Sequence, residues 1–271
     1  MEKYRQFVRK LTLLLIIVFL SGCGVVQTTP TPMASPTFTP TPVPTPTITP
    51  IPSFDSEEIS FTTEDGLKIY GYIYRGGGDL AVILAHQRAR SRPGPPETQN
   101  SWQYFAELLA TKGYTVLTFN FRGIGRSEGD IDEMENEVVI DTRSAIEFLQ
   151  AEGYQRIVCI GAEMGGTSCM EAAQSHELEG LVVIASTLSL GEPTKITDED
   201  IERLGMPKLF ICADQDSFER IVGETQYLYD NSPEPKQLKF FSGTAHGTDL
   251  FYSEHAEEFR QLLLEFLEAL R

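Results

Sequence analysis

After residue 53 the hydrophobic positions follow two rhythms. Near Glu58–Thr62 and Leu67–Arg75 apolar and polar residues alternate with period two, as in half-buried strands, and Asp65-Gly66 between them is a hairpin signal. From Leu80 onward the alternation gives way to solid apolar runs. These are LAVILAH (80–86), YTVLTFN (114–120), RIVCIG (156–161), LVVIAS (181–186), PKLFICAD (207–214) and QLKFFSG (237–243). Between them lie stretches with helical spacing: Trp102–Lys112, Glu137–Glu152, Met164–Ser175, Phe218–Asp230 and Glu254–Leu270. Strands apolar on both faces, alternating with helices, predict a parallel sheet covered on both sides. Two antiparallel strands followed by six parallel ones predict one α/β domain, residues 54–271, built on a mostly parallel eight-stranded sheet. In the last helix, Leu262, Leu263, Leu264, Phe266, Leu267 and Leu270 form the buried stripe.

The first 53 residues break both rhythms. Lys3, Arg5, Arg9 and Lys10 precede the apolar run Leu11–Leu20, which is short for a membrane span, and Leu20-Ser21-Gly22-Cys23 follows. Residues 27–53 hold nine Pro, nine Thr and no charge, so neither helix nor sheet can run through them. Such a segment is an extended tether, reaching about 80 Å at the polyproline II rise.

Composition narrows the partners. The 271 residues carry 22 Lys+Arg and 39 Asp+Glu, a net charge of 22 − 39 = −17. That balance excludes nucleic acid, whose binding rests on cations neutralising phosphates. It equally excludes adsorption to anionic lipid by charge alone. Nothing in the sequence calls for a cofactor, so the expected partner of the folded domain is a small molecule.

In open α/β sheets, ligands bind beyond the carboxyl ends of the strands. The residues there are His86-Gln87-Arg88, Phe121-Arg122-Gly123-Ile124-Gly125-Arg126-Ser127-Glu128-Gly129, Gly161-Ala162-Glu163-Met164-Gly165-Gly166, Asp214 with Asp216, and Gly243-Thr244-Ala245-His246-Gly247. In this order, over residues 56–271, they resemble the α/β-hydrolase family, in its dienelactone-hydrolase-like and small esterase/peptidase-like branches. The resemblance implies a triad acid at Asp216, with Asp214 as fallback, and a triad base at His246. It also implies an oxyanion hole from the N–H groups of Met164 and of Gln87 or Arg88, and little or no cap. His86 matches a family position that is structural more often than catalytic. The N-terminal segment resembles a bacterial lipoprotein signal. That implies cleavage of residues 1–22, lipid on Cys23, and an extracytoplasmic domain held to a membrane through residues 23–53.

The departure lies at the elbow. The family places a nucleophilic Ser in G-x-S-x-G, whereas this chain reads Gly161-Ala162-Glu163-Met164-Gly165. Ser168 lies five residues further on, inside the predicted helix, and does not replace it. A carboxylate attacking an ester carbonyl would form an anhydride and then depart again, being a better leaving group than an alkoxide. Its charge also opposes the oxyanion it should help form. Ordinary serine-esterase turnover is therefore expected to be impaired or lost. Two alternatives stand beside an impaired hydrolase of ester- or amide-type small molecules. One is a non-catalytic ligand-binding or interaction module, with Glu163 against His246. The other is attack by Glu163 on the saturated carbon of an alkyl halide or epoxide, followed by His246-assisted hydrolysis. A metal held by Glu163, Asp216 and His246 has no further support in the sequence.

The remaining features read as structure. Arg88, Arg90 and Arg92 sit in a loop near the expected site, Arg122 in a turn, and Trp102 in the core or at its rim. With Cys23 lipidated, Cys159 and Cys212 are expected as buried thiols, and no paired spacing with Cys169 announces a disulfide.

Overall fold

The computed structural model describes residues 54–88 and 97–271. The expected signal segment (1–22), Cys23, the expected tether, Arg90 and Arg92 lie outside the described residues. Strands β1 (Glu57–Thr62) and β2 (Lys68–Arg75) pair antiparallel, from Glu57 opposite Ile73 to Thr62 opposite Lys68. Their turn closes through the Thr63 hydroxyl, which accepts the Leu67 N–H at 2.9 Å, and through Gly66 at φ +91°. Then follow β3 (Leu80–Ala85), α1 (Gln103–Thr111), β4 (Thr115–Phe119), α2 (Ile131–Met134), α3 (Val138–Ala151) and β5 (Arg156–Ala162). Helix α4 (Met164–Ala172), β6 (Gly180–Ile184), a hairpin of β7 (Ser189–Gly191) and β8 (Thr194–Lys195), and α5 (Asp198–Arg203) come next. The chain ends with β9 (Lys208–Ala213), α6 (Arg220–Asn231), β10 (Lys236–Phe241) and α7 (Ala256–Glu268).

Eight strands form one sheet in the order β1-β2-β4-β3-β5-β6-β9-β10. Strand β2 joins β4 antiparallel, and β4, β3, β5, β6, β9 and β10 are parallel to one another. The sheet is central because its strands feed both faces. In β3, Ala81, Ile83 and Ala85 join the apolar cluster under α3 and α4, while Leu80, Val82 and Leu84 join the one under α1 and α7. All six are buried. Each fully buried aliphatic side chain contributes about 1.5–3 kcal/mol relative to exposure, so β3 and β5 anchor the domain. Among the described residues no helix is long and apolar enough to cross a membrane.

The expected strands and long helices are present, with ends trimmed by a few residues. The sequence reading passed over α2, α5 and the β7–β8 hairpin, which are too short to show a period. One correction concerns the cysteines. Cys159 on β5 and Cys169 on α4 form a disulfide across ten residues, with Cα atoms 5.9 Å apart, and Cys212 is a buried free thiol. The spacing could not reveal this, because the turn at residue 163 folds α4 back onto its own strand and brings the two side chains onto one face.

Candidate active site

The site is assembled where β3, β5, β9 and β10 end. Strand β5 turns into α4 at Glu163, which has φ +49° and ψ −115°, a conformation that costs a side-chain-bearing residue on the order of 1–3 kcal/mol. Its N–H is held by the Ile184 carbonyl at 2.8 Å, and its own carbonyl accepts from Gly166 at 3.0 Å. The sharp bend requires Gly161 and Gly165. A Cβ on Gly161 would stand 2.3 Å from the Gly165 carbonyl oxygen, and one on Gly165 would stand 2.4 Å from that of Ala85. Ser168 faces away, its hydroxyl 2.8 Å from that of Thr142 and buried.

The Glu163 carboxylate is held by the neighbouring loop. The backbone N–H of Arg88 donates to its Oε2 at 2.9 Å. The Arg88 guanidinium reaches the other way, forming close ion pairs with Asp132 of α2 and with Glu135 just beyond it. Burial raises the pKa of the Glu135 carboxyl; Arg88 opposes the rise and Glu163 adds to it, so the two carboxylates lie within electrostatic reach. Residue 136 fastens this segment to the hairpin. Asn136 donates to the Glu192 carbonyl, and the Thr194 hydroxyl donates back to the Asn136 carbonyl at 2.6 Å. Sequence reading missed Asp132 and Glu135, although they stand in an evident acidic run, EGDIDEMENE (128–137).

Across the site, His246 and Asp216 form a fully buried side-chain pair. His246 Nδ1 lies 3.0 Å from both Asp216 carboxylate oxygens. The Phe218 N–H donates to Asp216 Oδ1 at 2.9 Å, and the Phe218 ring lies 4.5 Å from the imidazole. Beneath Asp216, Cys212 Sγ is 3.9 Å from its Oδ2, and burial followed by the Asp216 charge pushes the thiol up to about 12. Asp216 rather than the fallback Asp214 meets His246 Nδ1; Asp214 Oδ1 accepts the Gly243 N–H at 2.9 Å and shapes the turn after β10.

The other candidates divide between bracing and support. Gln87 braces the His246 loop, its Oε1 accepting the Thr248 N–H at 2.5 Å. Gly247, at φ +53°, leaves room for that oxygen, which would stand 1.9 Å from a Cβ there. Met164 is buried at the head of α4. His86 is buried and spans two loops: Nδ1–H donates to the Gln87 carbonyl at 2.8 Å, and Nε2 accepts the Phe121 N–H at 3.2 Å. Burial lowers its pKa to about 4, so the imidazole is neutral near pH 7. Arg122, wholly buried, anchors its turn. Its Nε and Nη2 reach Asp141 at 3.0 and 2.8 Å, and Nη1 reaches Glu137 at 2.9 Å and Asp65 at 3.0 Å. Trp102 lies in the core against Phe105 and Phe251. Among the described residues no group of three or more His, Cys, Asp or Glu could hold a metal ion.

A doubly covered sheet with an elbow after β5, an acid after β9 and a His after β10 is the α/β-hydrolase fold. The family model described as alpha/beta hydrolase fold matches residues 81–204. The esterase Pf2001 of Pyrococcus furiosus is similar in structure, with a TM-score of 0.65 at 20% identity, covering 80% of this chain and 91% of that one. An uncharacterized protein of Rickettsia prowazekii, RP471, is 26% identical over 167 residues, 59% of this chain and 68% of that protein. Bifunctional epoxide hydrolase 2 of Sus scrofa is 30% identical over 101 residues, 37% of this chain but only 17% of its own length.

Proposed function

We propose that this is a lipid-anchored, extracytoplasmic protein of hydrolase descent whose elbow carboxylate has closed the ester- and amide-cleaving route of its lineage. One observation carries the reading: the Arg88 N–H, which the family resemblance assigns to the oxyanion hole, is engaged by Glu163 Oε2 at 2.9 Å. A substrate carbonyl arriving there meets a negative charge where it needs a donor, and the residue beside it cannot form a durable acyl-enzyme. His246 and Asp216 remain paired, so replacing Glu163 supplies the missing part. With a short aryl ester, the wild-type domain and Glu163→Ala are expected at background, and Glu163→Ser at least about 100-fold above it. Wild-type turnover that survives Glu163→Ala would refute the reading.

A second reading keeps catalysis and changes the electrophile. Attack on a saturated carbon through Oε1, the oxygen that does not accept the Arg88 N–H, would open an epoxide C–O bond as the departing oxygen takes a proton from water. In the ester so formed, Oε2 is the carbonyl oxygen. Water deprotonated by His246 would attack Cδ, and charge would develop on Oε2 beside the N–H already bound to it. The match to an epoxide hydrolase favours this route, while the extra methylene of Glu over Asp weighs against it, since an ångström of misplacement costs on the order of 100-fold. Intact mass after incubation with an epoxide or haloalkane separates the outcomes. An adduct on Glu163 supports this route; no adduct and no turnover leave a ligand-binding module.

A further inference from the structure

The Cys159–Cys169 disulfide brackets the elbow. Cys159 lies four residues before Glu163 on β5, and Cys169 lies six residues after it on α4. Both side chains are fully buried in the cluster under α3 and α4. Between them the chain turns sharply from β5 into α4, at a side-chain-bearing residue with φ +49°. Hydrogen bonds at this turn include the Glu163 N–H to Ile184, the N–H groups of Gly166 and Thr167 to the Glu163 carbonyl, and the Arg88 N–H to the Glu163 carboxylate. A covalent link across a closed loop removes the extended alternatives open to an unlinked chain, and here the loop contains the whole turn.

We infer that this disulfide is a staple for the elbow, set by an oxidation step that the domain must undergo outside a reducing cytoplasm. In that step two thiols are oxidised to one disulfide while a partner disulfide is reduced to two thiols. Disulfides of this kind form and persist in oxidising compartments. Once closed, the bond is out of reach of soluble thiols, because neither cysteine is exposed to solvent. The inference goes beyond the proposed function and does not depend on the chemistry of Glu163. It shares with that proposal the export of the chain, so the experiment supplies export independently.

Residues 23–271 are produced twice, once behind a heterologous export signal and once retained in a reducing cytosol. Each preparation is alkylated with iodoacetamide under denaturing, non-reducing conditions and mapped by peptide mass. The exported chain is expected to yield a linked Cys159–Cys169 peptide pair with Cys23 and Cys212 alkylated, and the cytosolic chain to yield all four cysteines alkylated. Alkylated Cys159 and Cys169 in the exported chain, or the linked pair in the cytosolic one, would overturn the inference. Hydrogen exchange then compares the two forms of one sequence. The amides of residues 163–167 are expected to exchange at least about 10-fold faster in the dithiol form, with β3 little changed, and to recover once that chain has been unfolded and refolded with oxidised glutathione. Equal elbow exchange in both forms, or a uniform rise across the sheet, would remove the staple role. If the dithiol chain does not fold, refolding with and without oxidised glutathione replaces this comparison. Folding only with the oxidant supports the inference, and folding in neither or both counts against it.

Discussion

At the scale of single residues, two buried polar groups, His86 and Arg122, set the chemistry of stability. His86 is held neutral, with a proton on Nδ1 and an accepting Nε2, and burial lowers its pKa to about 4 from an ordinary 6.5. Between those values the unfolded chain binds a proton that the folded chain refuses. The contribution is therefore whole above about pH 6.5 and is lost as the pH falls towards 4, by about 3 kcal/mol in all. Urea unfolding at pH 7 and pH 4.5 should show the wild type losing more stability than His86→Gln; parallel losses would contradict the assignment. Arg122 is tied to Asp141, and removing one partner of a buried pair leaves the other charge uncompensated. Arg122→Leu should cost about 3–5 kcal/mol in the same assay, against at most about 1 kcal/mol for loss of the exposed pair of Arg126 with Glu58.

At the scale of elements, the elbow is a close approach of backbones. A Cβ on Gly161 would press on the backbone of Gly165, which cannot yield, whereas one on Gly166 would press on the Ser186 hydroxyl at 1.9 Å. Gly161→Ala is accordingly expected to destabilise the domain by about 1–3 kcal/mol with no single-site rescue. Gly166→Ala should be relieved in part by Ser186→Gly. Thermal melts of the single and double variants check this, and equal relief of both glycine variants would contradict the account. The same region marks how far the sequence could be read. The inner parallel strands β3, β4, β5, β6 and β9 were plain because each buries both faces and reads as an apolar run, whereas the edge strand β10 is only partly buried. The elbow was plain because its glycines survive. The disulfide was hidden because its partners meet only after the turn has folded α4 back. The segment bearing Asp132 and Glu135 was hidden because its importance comes from pairing with Arg88, 44 and 47 residues away in sequence.

At the scale of the whole molecule, charge and anchoring pull in different directions. With residues 1–22 removed, the chain would carry 18 basic and 38 acidic residues, a net −20. No electrostatic attraction to anionic lipid is available, so the lipid on Cys23 must supply the whole of the proposed anchoring. Membrane association should therefore persist through washes at about 1 M salt, where exposed charges are screened within a few ångströms, and should be abolished in Cys23→Ala. Release of the wild type by salt would exclude a lipid anchor as the cause.

The central claim is that one side chain separates this domain from a working acyl hydrolase, the remaining machinery being in place. A fluorophosphonate tests it most directly, since a serine activated by His246 displaces fluoride and keeps the phosphonyl group as a covalent mass on residue 163. The account predicts stoichiometric labelling of Glu163→Ser, loss of that labelling when His246→Ala is added, and none in the wild type. A labelled wild-type domain, or a Glu163→Ser domain that folds and remains unlabelled, would contradict it.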